Sequence, residues 1–283
     1  MSAPLMSTLN LADHQLALYD WPTTRTPARA TIVLVHGMSE HGGRYTQVAE
    51  QLNAWGFDVR AYDQYGHGLS SGPRGRLPPH HRFVDDLVNV LDHTRARLAP
   101  TSRLIVLGHS MGGLVATSAV ARGLCAVDGL VLSSPAYIPV LQNWQKVLLR
   151  CLPKWLHGLC VDNGINPQWI ARSPEWVDNY ASDPLVHRAI SAELGLWFLN
   201  EGAYCMEAAK RWSTPTLLMY AGTDHIVRPQ GSAAFVAQAP AEWLQAHAFE
   251  AMYHEIFNDP DKAEVFAALG QWLDRHCPAA AAG

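Results

Sequence analysis

The sequence of 283 residues lacks several features that mark other classes of protein. It has no long basic run, and a formal net charge of −4 gives no electrostatic footprint for nucleic acid. No apolar run approaches the roughly 20 residues that a membrane-spanning helix needs. Residues 1–20 also lack the basic and apolar blocks of a secretory signal. We therefore expect a soluble protein inside the cell that has no nucleic-acid partner.

The chain also lacks the spacings that signal bound metals, disulfides or nucleotides. Its five cysteines are an odd set without C-x-x-C spacing, which argues against a disulfide framework and a structural zinc site. No H-E-x-x-H motif is present, and the glycines around His67 do not have the spacing of a dinucleotide fingerprint. We expect no metal, no cofactor and a reducing, cytoplasmic compartment.

What is present is a regular alternation of strand-like and helix-like segments. At 48% hydrophobic residues the chain can bury a large core, and its length suits one domain with an insertion better than two domains. The alternation is typical of an α/β fold with a mostly parallel sheet and helices on both faces. After a hairpin from residues 9–11 and 16–21, we predict strands at 31–35, 57–63, 103–107, 130–134, 216–220 and 244–249, and helices at 45–55, 82–98, 114–123, 231–239 and 259–276.

The alternation is interrupted between about residue 135 and residue 212. Tryptophans cluster in this segment, prolines interrupt it, and no strand-like run appears. We interpret residues 136–212 as a helical cap (lid) inserted into an α/β core of residues 1–135 and 213–283. Within the cap, residues 140–159 have helical spacing up to Pro153. That apolar stripe fits packing against the core as well as it fits a face that touches membranes or gates substrate.

The most informative stretch runs from Gly108 to Gly113 and places Ser110 between glycines, where an apolar strand turns into a helix. This is the nucleophile-elbow pattern G-x-S-x-G. A serine at such a turn adopts a strained backbone conformation, and only glycine-sized neighbours tolerate the crowding. A serine hydroxyl is a poor nucleophile near neutral pH, so it needs a base and a third group that holds the base. Ser110 alone also fits an ordinary helix N-cap.

Position in the sheet restricts the partners of Ser110, because working groups project from loops at the carboxyl ends of parallel strands. Asp224 lies just beyond the strand ending at residue 220, and His254 lies just beyond the strand ending near residue 249. Asp128 is at the wrong end of its strand, and His247 sits inside one. The resulting order Ser110, Asp224, His254 is that of an α/β-hydrolase triad. The plainer interpretations are a turn-forming aspartate and a surface-loop histidine.

The negative charge that develops in an acyl-transfer transition state needs hydrogen-bond donors. One donor should be the backbone N–H of Met111, at the start of the elbow helix, where the helix dipole adds to it. The other should come from the loop after the first buried strand, and we assign the backbone N–H of Met38. In the same loop Glu40, His41 and Arg44 fit catalytic helpers, but a polar network that braces the loop is the favoured interpretation.

Six sequence blocks together resemble the monoacylglycerol lipase and lysophospholipase branch of the α/β-hydrolase superfamily. They are residues 36–45 (HGMSEHGGRY), 62–70 (YDQYGHGLS), 108–113 (GHSMGG), 182–185 (SDPL), 222–224 (GTD) and 253–255 (YHE). The H-G-x-x-E-H-x-x-R-Y block separates this branch from generic esterases. The resemblance implies hydrolysis of a single-chain lipid ester under a helical lid. It also implies a catalytic triad of Ser110, Asp224 and His254, with the N–H groups of Met38 and Met111 as the oxyanion hole.

We therefore expect a serine hydrolase that cleaves carboxylic esters of single-chain lipids through an acyl-enzyme intermediate, with a small lipid ester as its partner. Tryptophans available to line an acyl tunnel are Trp144, Trp155, Trp169, Trp176 and Trp197. Transient contact of the cap with a membrane or micelle is a further expectation. The alternatives are a lysophospholipase, a general carboxylesterase, an aminopeptidase or C–C hydrolase of the same fold, and a catalytically idle ligand-binding member of it.

Overall fold

An eight-stranded, mostly parallel sheet forms the centre of the computed structural model, which describes residues 3–77, 81–141 and 158–279. The ten strands of the described residues, of which β7 and β8 lie outside this sheet, are β1 (Leu5–Asn10), β2 (Gln15–Trp21), β3 (Thr31–Val35), β4 (Asp58–Tyr62), β5 (Leu104–His109), β6 (Gly129–Ser133), β7 (Cys160–Asp162), β8 (Ala189–Ser191), β9 (Thr216–Ala221) and β10 (Leu244–Phe249). The α-helices of the described residues are α1 (Thr46–Ala54), α2 (Arg82–Arg95), α3 (Met111–Ala121), α4 (Pro174–Ser182), α5 (Ala192–Ala208), α6 (Pro229–Gln238) and α7 (Lys262–His276). Short 3-10 helices lie at Gly42–Tyr45, Pro167–Trp169, Ala209–Arg211 and Ile256–Asn258.

The strands follow the order β1-β2-β4-β3-β5-β6-β9-β10 across the main sheet. β2 pairs antiparallel with β1 and with β4, and the other pairs in this sheet are parallel. β3, β5 and β6 are buried along their whole length, as expected for strands covered on both faces. The carboxyl ends of the parallel strands therefore meet at one end of the sheet, where loops bring distant residues together.

Two hydrophobic cores lie on the two faces of the sheet, because successive side chains of a strand point to opposite faces. In β3, Val33 and Val35 pack with α2, α3 and α6 on one face. Ile32 and Leu34 pack with α1 and α7 on the other face. Helices thus cover both faces, which confirms the predicted α/β class.

The segment between β6 and β9, here called the insertion, contains β7, β8, α4 and α5 in its described part. β7 and β8 form a separate antiparallel two-stranded sheet, so the expectation that this segment has no strand is wrong. Each strand has three residues, too few to produce a period-two pattern in the sequence. Of the predicted helical stretch at 140–159, residues 142–157 lie outside the described residues.

Several element boundaries also differ from the prediction, among them the starts of β1, α3 and α7. β1 begins at Leu5, and its side chains are almost all exposed, so no alternating apolar pattern marks it. α3 begins at Met111, because two glycines that are poor helix formers by propensity have helical backbone after the elbow. α7 begins at Lys262, after the 3-10 turn at Ile256–Asn258 and three residues in bend or turn conformation.

A buried acid joins the opening hairpin to α2. His14, in the turn between β1 and β2, lies with Nε2 2.8 Å from Asp86 Oδ1 in α2. Asp86 is 2% exposed, and its Oδ2 receives no hydrogen bond from the described residues. Burial, only partly offset by the charges of His14 and Arg82, raises the pKa of Asp86 to about 6. Ionised Asp86 therefore destabilises the fold.

We predict that Asp86→Asn stabilises the fold above pH 6. Between about pH 4 and pH 6 the folded chain keeps a proton on Asp86 that the unfolded chain has released, so stability falls as the pH rises through this window. The shift from 3.8 to about 6 corresponds to roughly 3 kcal/mol at pH 7. Urea unfolding of both chains at each end of this pH window measures the difference in their free energies of unfolding. Asp85→Asn, at an exposed neighbouring position, is the control, and equal effects of the two changes would contradict the prediction.

Candidate active site

Ser110 occupies a strained turn between β5 and α3. Its φ of 51° and ψ of −115° lie outside the helical and extended regions that most residues adopt. A Cβ at Gly112 would lie 2.1 Å from the carbonyl oxygen of Val35, and a Cβ at Gly108 would lie 2.6 Å from that of Gly112. Close backbone contacts therefore require both glycines, as the elbow pattern predicts.

Asp224 and His254 come together after β9 and β10. His254 Nδ1 lies 2.6 Å from Asp224 Oδ2. The other carboxylate oxygen accepts hydrogen bonds from the backbone N–H groups of Ile226 and Val227, at 2.8 and 2.9 Å. Both oxygens of Asp224 are therefore engaged, which fixes the carboxylate against His254. The bond at Nδ1 leaves Nε2 of the ring for another proton partner.

Ser110 and His254 line the same cavity. Within the described part of the chain, no hydrogen bond joins the Ser110 hydroxyl to the His254 ring. Such bonds are often long in unliganded enzymes and tighten in the substrate complex. The neighbouring His225 packs instead against the rings of Tyr253 and Trp169, with centroid distances of 5.0 and 6.0 Å.

The pKa of His254 is raised above its usual value of 6.5. Burial lowers this pKa, but the charge and hydrogen bond of Asp224 outweigh burial, and Glu255 and Glu40 add to the rise. His109, which precedes Ser110, has its ring centroid 4.7 Å from that of His254. Burial and the neighbouring His254 lower the pKa of His109 to about 3. Of these two rings, His254 is the one whose pKa is raised, and the pKa of His109 is lowered, so His254 is the candidate base.

The loop after β3 is fixed by the Glu40 carboxylate. Glu40 Oε1 accepts hydrogen bonds from the backbone N–H of Gly37 at 2.5 Å and from the Tyr45 hydroxyl at 2.7 Å. Met38 lies in this loop and lines the cavity beside Ser110. Met111 is the first residue of α3, so its N–H has no acceptor within the helix. The loop and the helix N-terminus thus both adjoin Ser110.

A buried ion-pair network connects this loop to the loop of His254. Arg44 lies 2.5 Å from Glu40 Oε2 and 2.8 and 3.0 Å from the two oxygens of Glu255. Burial raises the pKa of Glu40, whereas at Glu255 the charge of Arg44 outweighs burial and lowers the pKa. The bracing interpretation of Glu40 and Arg44 fits these contacts. The sequence analysis gave Glu255 no role of its own. Its position directly after His254 was the feature of the sequence that could have pointed to it.

A cavity of about 780 Å³, a volume that includes open solvent at its mouth, is lined by Ser110 and His254. Most of its walls are apolar and come from both the core and the insertion. Apolar and aromatic side chains on these walls are Met38, Ala136, Val140, Leu141, Ile165, Ile170, Tyr180, Ile190, Phe198, Ile226 and Val227. Polar side chains on the walls include Glu40, His109, Asn163 and Glu255. The site therefore combines a reactive pair with an apolar enclosure.

The described tryptophans of the insertion do not line this cavity, so the predicted tryptophan tunnel is wrong for Trp169, Trp176 and Trp197. Trp197 packs against Phe83 of α2, with ring centroids 5.3 Å apart. Sequence spacing does not reveal which side of an inserted segment faces the site. Isoleucines of the insertion line the cavity where tryptophans were expected. Trp144 and Trp155 lie outside the described residues.

In residues 3–77, 81–141 and 158–279, no three His, Cys, Asp or Glu side chains group as metal ligands. No helix in the same part of the chain is long and apolar enough to cross a membrane.

Comparisons with known proteins agree with this geometry. The model of the family described as "Serine aminopeptidase, S33" matches residues 26–261. Monoacylglycerol lipase from Mycolicibacterium smegmatis is 34% identical over 266 residues, which cover 92% of this chain and 93% of that protein. The crystal structure of Paleococcus ferrophilus monoacylglycerol lipase is also 34% identical and superposes with a TM-score of 0.80, covering 92% of this chain and 99% of the other.

A soluble variant of monoglyceride lipase from Saccharomyces cerevisiae, solved with a substrate analog, shares the fold at 22% identity. Its TM-score is 0.88, and the match covers 98% of this chain and 97% of that one. The family match spans most of the chain, and the M. smegmatis relative is similar over nearly its whole length. The chain therefore belongs to the serine aminopeptidase S33 family of α/β hydrolases, and it is a carboxylic ester hydrolase of the monoacylglycerol lipase-like branch.

Proposed function

We propose that the chain hydrolyses monoacylglycerols, with Ser110 as nucleophile, His254 as general base and Asp224 as the group that orients the base. The observation that carries the proposal is the cavity in which Ser110 and His254 lie under mainly apolar walls. The backbone N–H groups of Met38 and Met111 are the proposed oxyanion donors. The proposed steps need no metal and no cofactor.

In the first step Ser110 Oγ attacks the ester carbonyl while His254 Nε2 accepts the hydroxyl proton. The oxyanion accepts hydrogen bonds from the N–H groups of Met38 and Met111, and the dipole of α3 favours its negative charge. His254 then donates the proton to the departing glycerol oxygen, which leaves an acyl group on Ser110. Water activated by His254 attacks this ester, releases the fatty acid and restores the serine.

The apolar walls support a fatty acyl chain as the group that the cavity holds. Ile165, Ile190 and Phe198 come from the insertion, whereas Ile226 and Val227 come from the loop after β9. Burial in such surroundings contributes about 0.8 kcal/mol for each CH₂ group. One cavity with walls from both the core and the insertion suits one acyl chain, so the proposal includes discrimination against di- and triacylglycerols.

The carboxylates of the cavity favour an ester over a peptide with a free amino terminus. The family description names an aminopeptidase, and an N-terminal ammonium group would need a carboxylate that is not already paired. Among the described lining residues, both Glu40 and Glu255 pair with Arg44. This pairing supports the esterase proposal against the aminopeptidase alternative.

We further propose that residues 136–212 act as a lid on an α/β core of residues 1–135 and 213–283. Side chains of this segment line the cavity, so a substrate must pass it to reach Ser110. Leu159 and Leu199 of the insertion are exposed, which supports transient contact with a membrane or micelle as lipid enters. The odd number of cysteines supports a reducing, cytoplasmic location.

We expect Ser110→Ala to lower ester turnover by several orders of magnitude, because loss of a triad member removes the concerted chemistry. Hydrolysis of p-nitrophenyl butyrate and 1-monooleoylglycerol measures the loss, and thermal unfolding checks that the variant folds. Ser182→Ala, at an exposed position of α4, is the matched control and should keep full activity. Covalent labelling of the Ser110→Ala chain by a fluorophosphonate would contradict the assignment of the nucleophile.

We expect kcat/KM to rise with pH through a limb centred above 6.5, because protonated His254 cannot accept the serine proton and its pKa is raised. Asp224→Asn removes the charge that raises this pKa. The limb should therefore move to lower pH, while the plateau falls by roughly 10⁴-fold through loss of the correct tautomer. A pH profile from 5 to 9 measures both effects. His225→Ala is the control. Inactivity of that variant, with retained activity of His254→Ala, would show that the base is misassigned.

We expect kcat/KM for monoacylglycerols to increase with acyl length until the cavity is full, because each added CH₂ group is buried in the bound state. A series from C8 to C18, compared with dioleoyl- and trioleoylglycerol and with a lysophospholipid, tests this. The monoacyl substrates should be cleaved much faster than the di- and triacyl ones. Equal rates on trioleoylglycerol, or efficiency that declines steadily from acetate upward, would indicate an open esterase cleft. Faster cleavage of the lysophospholipid than of the monoacylglycerols would favour the alternative that the chain is a lysophospholipase.

A further inference from the structure

The insertion contacts the oxyanion loop directly, at the residue that follows Met38. The carbonyl oxygen of Ser39 accepts a hydrogen bond from the backbone N–H of His187 at 3.0 Å. The hydroxyl oxygen of Ser39 accepts a hydrogen bond from Asn163 Nδ2, also at 3.0 Å. Two residues that flank β7 and β8 thus bond to the side chain and the backbone of one loop residue.

Ser39 is a residue whose backbone conformation needs such support. Its φ is 71°, in the left-handed region that disfavours residues with a Cβ atom. A conformation of this kind persists only where the surrounding structure over-determines it. Ser39 is fully buried, and the described side chain that bonds to its hydroxyl is that of Asn163. The insertion therefore supports a strained residue adjacent to a proposed oxyanion donor.

The side chain of Asn163 is held with its amide nitrogen toward Ser39. Its Oδ1 accepts the backbone N–H of Ile165 at 2.9 Å, which leaves Nδ2 as the donor toward the loop. Its backbone N–H donates a hydrogen bond to the carbonyl of Arg188, which extends the β7–β8 pairing beyond Asp162 and Ala189 and fixes the position of Asn163. Asn163 is also buried. The amide is consequently a preorganised contact and not a freely rotating surface group.

We propose that the insertion completes the oxyanion hole: Asn163 is a positioning residue that acts through Ser39 to hold the N–H of Met38 toward the reacting carbonyl oxygen. This inference rests on the proposed serine-hydrolase function. The contact of His41 Nε2 with Asp183 Oδ2, at 2.8 Å, connects the same loop to the insertion a second time.

Asn163 also lines the cavity, so a direct contact with substrate is the competing explanation of any defect. The two explanations predict different kinetics. Loss of a positioning contact lowers kcat by the same factor for every ester, because each one uses the same oxyanion hole. Loss of a wall contact raises KM, and its effect grows with the length of the acyl chain.

The test compares Asn163→Ala, Ser39→Ala and the double variant on p-nitrophenyl acetate, butyrate, octanoate and decanoate. We expect each single change to lower kcat by roughly 10- to 100-fold on all four esters, with KM changed less than about twofold. The double variant should be no worse than the more damaged single variant, because both changes remove the same contact. Asn166→Ala is the matched control: this exposed asparagine of the insertion caps the next 3-10 turn and should keep full activity.

A second measurement reports on the oxyanion hole alone. An alkyl trifluoromethyl ketone adds to the serine and places a negatively charged oxygen in the hole, so its affinity should fall by about the same factor as kcat/KM. Unchanged inhibition together with a length-dependent rise in KM would overturn the proposal and make Asn163 a wall residue. If Asn163→Ala fails to fold, Ser39→Ala alone decides, since it leaves the insertion intact. A wild-type chain without esterase activity would refute the proposed function, whereas an active wild type with fully active variants would refute only this inference.

Discussion

The buried cation Arg44 holds together the two loops on which the proposed chemistry depends. It pairs with Glu40 in the loop of Met38 and with both oxygens of Glu255 beside His254. One cation facing two carboxylates leaves an excess of negative charge near the His254 ring, and both carboxylates raise the pKa of that ring. Removal of one partner from a buried ion pair typically costs about 3–5 kcal/mol, because a charge is left uncompensated. The network thus couples loop geometry to the electrostatics of the base, and it favours the imidazolium that acylation produces.

Backbone strain is concentrated at the same end of the sheet. Ser39, Ser110 and Ser134 follow β3, β5 and β6, and all three have positive φ. Each strand is buried on both faces and pairs in parallel with its neighbour, so its ladder fixes where the chain must turn. The hydrogen bonds and packing of such buried strands hold the turns that follow them in place, and this offsets the cost of the strained backbone. The rigid centre of the sheet is therefore what allows three adjacent loops to hold conformations that isolated loops would avoid.

The sequence predicted the features that follow from chain order and failed on those that depend on distant contacts. Asp224 and His254 were placed correctly against each other because the carboxyl ends of parallel strands must meet, which needs only the strand order along the chain. The role of the elbow glycines was also predictable from the sequence, since the backbone approaches too closely there for a residue with a Cβ atom. Glu255 was missed because its partner Arg44 lies 211 residues away, and no local pattern encodes that pairing. The prediction that tryptophans line the cavity was wrong for Trp169, Trp176 and Trp197, because composition indicates that a segment is apolar but does not indicate which side chains face the site.

The insertion has two roles that constrain its evolution in opposite ways. Its isoleucines and Phe198 form walls, and wall residues can change with the substrate because apolar swaps of similar volume are tolerated. The contacts to Ser39, and the stacking of Arg44 over Tyr180 at 4.9 Å, act on the loops beneath and leave little freedom for substitution. A protein of this design can therefore alter the acyl pocket by exchanging side chains along the cavity while it keeps a few fixed polar contacts at its base. On this view the determinants of substrate choice and the determinants of rate lie in the same segment but on different residues, so the two properties can vary independently.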